Sequence, residues 1–137
     1  MELGDINYLA IVVAALASFI FGFGYYASLG KFWMAATGKS EEELKSGGMA
    51  QPMIITIICQ LIMSFFLAGI MVHVGEEHIN LRGGLINGFF VWVGFAMTAT
   101  AVNYAWQRAK VSLMVIDGGH WLGVLLVQGA VLGVMGV

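Results

Sequence analysis

The chain has 137 residues, 60% of them hydrophobic and only 10% charged, against roughly a quarter charged in an ordinary soluble domain. With a mean hydropathy of +0.89, it carries more apolar surface than a water-solvated core can absorb, which points to lipid as its solvent. A formal net charge of −2, with no basic run and no acidic tail, excludes nucleic acid as a partner.

Cys59 is the only cysteine, so one chain can form neither an internal disulfide nor a two-cysteine redox relay. Quinone-linked dithiol oxidation is excluded on that ground. The first apolar stretch follows Glu2 and Asp5 instead of a basic region and is too long for the core of a signal peptide, so it is expected to remain in the mature protein.

Four stretches nearly free of charge, residues 6–28, 52–74, 83–104 and 112–135, are each long enough to cross a hydrocarbon core of ~30 Å, which takes about 20 helical residues. Nearly all the charge falls between them, as lipid demands, because a helix satisfies its own backbone hydrogen bonds and a loop does not. The expected fold is therefore all-α: a single four-helix transmembrane domain over residues 1–137, with a short interfacial helix between the first two spans.

In chain order, the first span carries Ala14, Ser18 and Gly22 at four-residue spacing and ends near Tyr25 and Tyr26. Lys31-Phe32-Trp33-Met34 then mixes a cation with bulky apolar groups, a composition suited to the headgroup level and to a segment lying along the membrane surface. Ser40-Glu41-Glu42-Glu43 reads as a capping box, with Ser40 accepting from the Glu43 amide and the Glu43 carboxylate reaching back. The helix it opens should end at Gly47-Gly48. Pro52 falls in the first turn of the second span, where its missing N–H removes no intrahelical bond, and Gln60 lies inside that span.

Near the opposite surface, His73 at the end of the second span and His78 in the second loop lie beside Glu76 and Glu77. His73 and His78 are weak candidates for a metal, because their spacing matches no established motif and ligand type without closed geometry is poor evidence. No metal and no cofactor are expected: haem ligation by two histidines would need His73 and His120 at one depth, and no phosphate loop, nucleophile elbow or zinc-protease signature occurs. The third span carries Gly84 and Gly88 and ends at Asn103 and Tyr104; the fourth carries Asp117, His120, and the pairs Gly119 with Gly123 and Gly129 with Gly133.

The small-residue stripes, Ser18 with Gly22, Gly84 with Gly88, Gly119 with Gly123 and Gly129 with Gly133, let helix backbones approach where lipid supplies no hydrophobic drive. Packing inside the bundle accounts for most of them. A fourth helix with two stripes offers more small surface than one neighbour needs, so homo-oligomerisation is expected as well, with membrane lipids the remaining partner.

Ionisable groups inside a membrane are costly enough to be functional candidates. Asp117 and His120 lie three apart on one helix face. Counted inward from the same surface, Tyr25, Tyr26, Gln60, Asn103 and Tyr104 reach a similar depth, so all four spans are expected to offer polar groups to one layer. Either these groups satisfy one another and set the helix register, or the Asp117–His120 pair handles protons.

Asn7, Phe19, Gly22, Tyr25-Tyr26-Ala27-Ser28, Gly30-Lys31 and Trp33, then Asn103-Tyr104, Ile116-Asp117 with His120, and Gly129 with Gly133, resemble the bacterial membrane family named domain of unknown function 1761. The likeness covers almost the whole chain. It implies a four-helix membrane fold and brings no activity with it. Three functional readings follow. A small proton- or cation-linked transporter or channel-like homo-oligomer using Asp117 and His120 is favoured over a structural or accessory subunit. A membrane-embedded enzyme with His120 as base and Asp117 orienting it ranks last, since no nucleophile or metal cluster accompanies the pair.

Lys31, Lys39, Lys45, Arg108 and Lys110 lie in loops one and three, against Arg82 alone on the other side. The asymmetry is expected to put those loops in the cytoplasm and both termini outside, and the resemblance to a bacterial membrane family implies a multi-pass protein of the bacterial inner membrane. Topology reporters fused after Val137 should accordingly behave as extracytoplasmic and those inserted near Lys45 as cytoplasmic; the reverse pattern overturns the charge count.

Overall fold

The computed structural model describes residues 3–137; Met1 and Glu2, the latter part of the acidic lead-in to the first span, lie outside the described residues. The described chain is helical throughout, and four of its helical stretches are long and apolar enough to cross a membrane: Tyr8–Thr37, Ala50–Val74, Leu81–Trp106 and Val111–Met135. These form an integral membrane four-helix bundle.

Helix α1 (Tyr8–Thr37) is capped by Asn7, whose Oδ1 accepts from the Ala10 amide at 3.1 Å. The Asn7 Nδ2 reaches the carbonyls of Met135 and Gly136, each at 3.3 Å, which ties the first turn of the bundle to its last. The expected end at Ser28 and the surface-lying segment at Lys31–Met34 are both corrected here. No glycine or proline interrupts residues 31–37, so the helix runs on to Gly38, which closes it in the left-handed region at φ 69°, the usual work of a glycine at that position. Thirty residues at 1.5 Å each make about 45 Å, so α1 extends beyond the hydrocarbon.

Helix α2 (Glu41–Lys45) is the expected short helix, with Ser40 Oγ accepting from the Glu43 amide at 3.2 Å. The return bond from the exposed Glu43 carboxylate does not form, because water competes for it. Lys45 instead pairs with Glu41 at 2.6 Å and holds that carboxyl below its ordinary range. Helix α3 (Ala50–Val74) takes Pro52 in its first turn. A short 3-10 turn (Glu76–His78) leads into α4 (Leu81–Val91), which is joined through a π-helical turn at Trp92–Ala96 to α5 (Met97–Trp106); together these make the third span. Helix α6 (Val111–Met135) is the fourth.

Helix α6 is the centre of the bundle, packed against α1 on one side and α4 on the other, while α3 closes on α1. Burial runs opposite to that of a soluble protein. Ser18, Gln60, Ser64 and Gln128 are at most 1% exposed, while Leu9, Ile20, Phe23, Phe66, Phe90 and Phe95 are 64–72% exposed. A contiguous apolar exterior of this kind belongs against hydrocarbon. The apolar core is thin, formed around Ala10, Ile11, Ala14, Leu67, Met71, Leu125 and Leu132.

The tightest crossing is that of α4 on α6. A Cβ placed on Gly84 would collide with the Gly129 carbonyl, and one placed on Gly129 with the Gly84 carbonyl, so the two backbones touch. Gly88 and Gly133 extend the contact onto Leu125 and Asn80. On the other side of α6, Gly119 and Gly123 lie beneath the rings of Tyr25 and Phe21, and Gly22 beneath His120. The two stripes of the fourth span thus face two different neighbours within the same chain, which removes the surplus small surface from which a homo-oligomer was expected. Gly84→Ala should destabilise the bundle by about 1–3 kcal/mol, the usual cost of overpacking, whereas Gly69→Ala, which meets only open space in α3, should stabilise it by up to about 1 kcal/mol. Thermal unfolding in detergent followed by circular dichroism measures both; equal effects would contradict the backbone contact.

Candidate functional site

Asp117 is the seventh residue of α6, about 9 Å along the axis from its start. Tyr26 and Trp33 lie seven apart on α1, two turns on one face, and both reach Asp117 Oδ1: the Tyr26 hydroxyl at 2.6 Å and the Trp33 indole N–H at 3.1 Å. The Tyr104 hydroxyl, from α5, donates to Oδ2 at 2.5 Å. Trp33 can reach the carboxyl only because α1 continues past its expected end.

The flanking backbone is held in the same way. The Tyr25 hydroxyl donates to the Ile116 carbonyl at 2.7 Å, and the Trp92 indole donates to the Gly118 carbonyl at 2.8 Å. Five aromatic donors from α1, α5 and the π turn therefore converge on three consecutive residues of α6. The wider π turn, a feature frequent at functional sites, is where the third span carries Trp92. Gly118 bears no side chain between Asp117 and α5, and the Met97 thioether occupies the space a Cβ would take.

His120 is 6% exposed and lies among the rings of Phe21, Tyr25, Tyr26 and Trp121, with centroids 4.8–6.4 Å away. Its Nε2 points at Gly22, where a Cβ would approach to 2.7 Å. It has no hydrogen-bond partner among the described residues and makes no ion pair with Asp117. Of the partners open to Asp117 by sequence, the tyrosines take the carboxyl oxygens, joined by the Trp33 indole, and His120 does not bond it. The base-and-orienter contact that an enzyme reading requires does not form either.

Of the expected layer, Tyr25, Tyr26, Tyr104, Asp117 and His120 come together. Asn103 and Gln60 do not. Asn103 is exposed, one residue off the face that Tyr104 presents to α6. Gln60 belongs to a second polar cluster, some three turns further along α6: Ser18 Oγ donates to Gln60 Oε1 at 2.8 Å, and Gln128 Nε2 donates to Ser18 Oγ and to the Gln60 carbonyl, both at 3.1 Å. Counting inward from helix ends misplaces it because α3 starts about two turns deeper in the bundle than α6, which brings Gln60 level with Gln128 instead of Asp117. His73 turns onto its own helix at the Gly69 carbonyl, and among the described residues no three His, Cys, Asp or Glu side chains gather as a metal site.

Sequence reasoning missed Trp33, Trp92 and Gln128. Trp33 was legible as the residue two turns from Tyr26, and Gln128 as a lone amide in mid-span. No pattern in the sequence marks the π turn that aims Trp92.

The chain matches the family described as "Protein of unknown function (DUF1761)" over residues 9–133 and belongs to it. No curated protein and no solved structure matches it.

Because Tyr104 and not His120 bonds Asp117, the energetic coupling should follow the bonds. A double-mutant cycle of Asp117→Asn with Tyr104→Phe should give an interaction energy of about 1–3 kcal/mol, and one with His120→Phe under about 0.5 kcal/mol. Unfolding in mixed detergent micelles provides the readout; larger coupling to His120 would contradict the geometry.

Proposed function

We propose that this small membrane protein of the DUF1761 family is a proton- or cation-linked transport protein in which Asp117 is the exchanging group. The observation that carries the reading is the set of three donors from two other spans on one half-buried carboxyl. An ionised carboxylate only accepts hydrogen bonds, whereas a protonated one must also place a donor. An indole N–H cannot accept, so Trp33 has no part in that exchange. Protonation puts a donor on one of the carboxyl oxygens and weakens the charge-assisted bonds from Tyr26 and Tyr104, which loosens the hold of α1 and α5 on α6. Gain and loss of a proton thereby become helix movement.

The site lies toward loops one and three, the cytoplasmic side on the lysine and arginine count. A path to the other side is closed within one bundle, since Val124 and Leu125 are at most 1% exposed between Asp117 and the Gln128 cluster. Transport therefore needs either separation of the helices or assembly of copies. That same closure favours a second reading, a structural or accessory subunit whose polar clusters hold its helices in register.

Trp33 reports on the difference. In reconstituted vesicles, intrinsic fluorescence should titrate with pH in the wild type and lose that titration in both Asp117→Asn and Trp33→Phe, with Asp117→Asn also abolishing proton flux read by an enclosed pH-sensitive dye. A wild type that neither titrates nor passes protons, together with an Asp117→Asn variant that merely melts lower, would leave the structural reading.

A further inference from the structure

At the opposite end of the bundle, where α3 stops at Val74 and α4 begins at Leu81, a groove opens between the two helices. One part of it is lined by Val74, Ile86, Asn87 and Phe90 together with His78 of the loop. It continues through Gly83 and Ile86 into a polar mouth bearing Glu77 and Arg82. The mouth is held in shape by Asn80, which caps α4 at the Gly83 amide (3.0 Å) and donates to the Glu77 carbonyl (3.1 Å). The loop packs so closely that a Cβ on Gly83 would strike the His78 carbonyl.

Three features of this groove have no use in the fold. Arg82 is exposed and makes no ion pair or hydrogen bond among the described residues. The Glu77 carboxylate lies against Gly75 and has no charged neighbour among the described residues except His78, at 3.7 Å. Asn87 is 8% exposed, yet only one of its N–H groups is engaged, by the Gly83 carbonyl at 2.8 Å, and its Oδ1 has no partner. Along α4 the order is the Arg82 cation beside Glu77 at the mouth, the Asn87 amide about 7 Å further along the axis, then Phe90, with Val74 and Ile86 as apolar flanks.

We infer that this groove binds one ethanolamine phospholipid. Its phosphate suits the guanidinium of Arg82, a bidentate match for phosphate oxygens. Its primary ammonium suits the Glu77 carboxylate. An ester carbonyl at the base of the headgroup suits the free N–H of Asn87, and an acyl chain fills the cleft between Ile86 and Phe90. The amphiphile presents these groups in the same order as the groove. A purely anionic headgroup would leave Glu77 opposed to it, and a quaternary choline offers that carboxylate no N–H to donate.

Native mass spectrometry of the full chain, released from micelles carrying equal phosphatidylethanolamine, phosphatidylcholine and phosphatidylglycerol, tests the assignment. One phosphatidylethanolamine should be retained about tenfold over either competitor, the equivalent of 1.4 kcal/mol. Arg82→Gln should lower retention of all three lipids, and Glu77→Gln should erase the preference for phosphatidylethanolamine over phosphatidylglycerol while retention persists. Both side chains are exposed, so unchanged melting of the lipid-free variants separates loss of binding from loss of fold. Equal retention of the three lipids by the wild type, a preference for phosphatidylglycerol, or a preference unchanged in Glu77→Gln overturns it.

Discussion

Hydrocarbon offers no hydrogen bonds, so a polar side chain inside it must find a partner within the protein, and the arrangement of this bundle follows from where those partners lie. Helix α6 carries Asp117 and Gln128 in one span, and each is met by side chains from other helices. At Asp117 the donors come from α1 and α5; at Gln128 the side chain itself donates, to the Ser18 hydroxyl of α1 and the Gln60 carbonyl of α3. Serving both, α6 has to sit in the middle. The glycines then determine how closely its neighbours approach, with α4 touching its backbone and α1 laying Phe21 and Tyr25 over its small residues.

The two polar clusters differ in character. That of Ser18, Gln60 and Gln128 is uncharged and fully buried, and Gln128 Oε1 is its one orphaned atom among the described residues. Its groups are fixed and neutral, which suits register. The Asp117 cluster is half-buried, closer to the membrane face, and contains a carboxyl, which gains a hydrogen-bond donor when it takes a proton. That asymmetry, more than the presence of a carboxyl, is what supports the proposal of Asp117 as the exchanging group. His120 adds an aromatic wall and no bond.

The lipid-facing surface is similarly uneven. Most of it is bulky and apolar, as at Phe23, Phe66 and Phe95. The groove between α3 and α4 departs from that pattern by combining opposite charges with an under-used amide beside apolar walls. Both this groove and the Asp117 cluster lie near span ends, where polar groups remain within reach of water and headgroups.

Much of the fold was legible in residue order because its cause is local. Four runs of about 20 apolar residues are spans by length alone, Ser40 and Pro52 mark helix starts by their own chemistry, and Asp117 stands out as a carboxyl where carboxyls are costly. Small residues every four positions announced close packing. Which helix each stripe would meet was a different matter, since Gly119 with Gly123 and Gly129 with Gly133 read alike and face α1 and α4 respectively. Tertiary structure alone decided the partners of Asp117, because Tyr25, Tyr26, Asn103 and Tyr104 are all plausible by depth and only rotation of each helix about its axis selects among them. It also decided the length of α1: headgroup chemistry suggested that Trp33 lay along the surface, whereas a hydrogen bond across 84 residues of sequence holds it upright in the helix against Asp117.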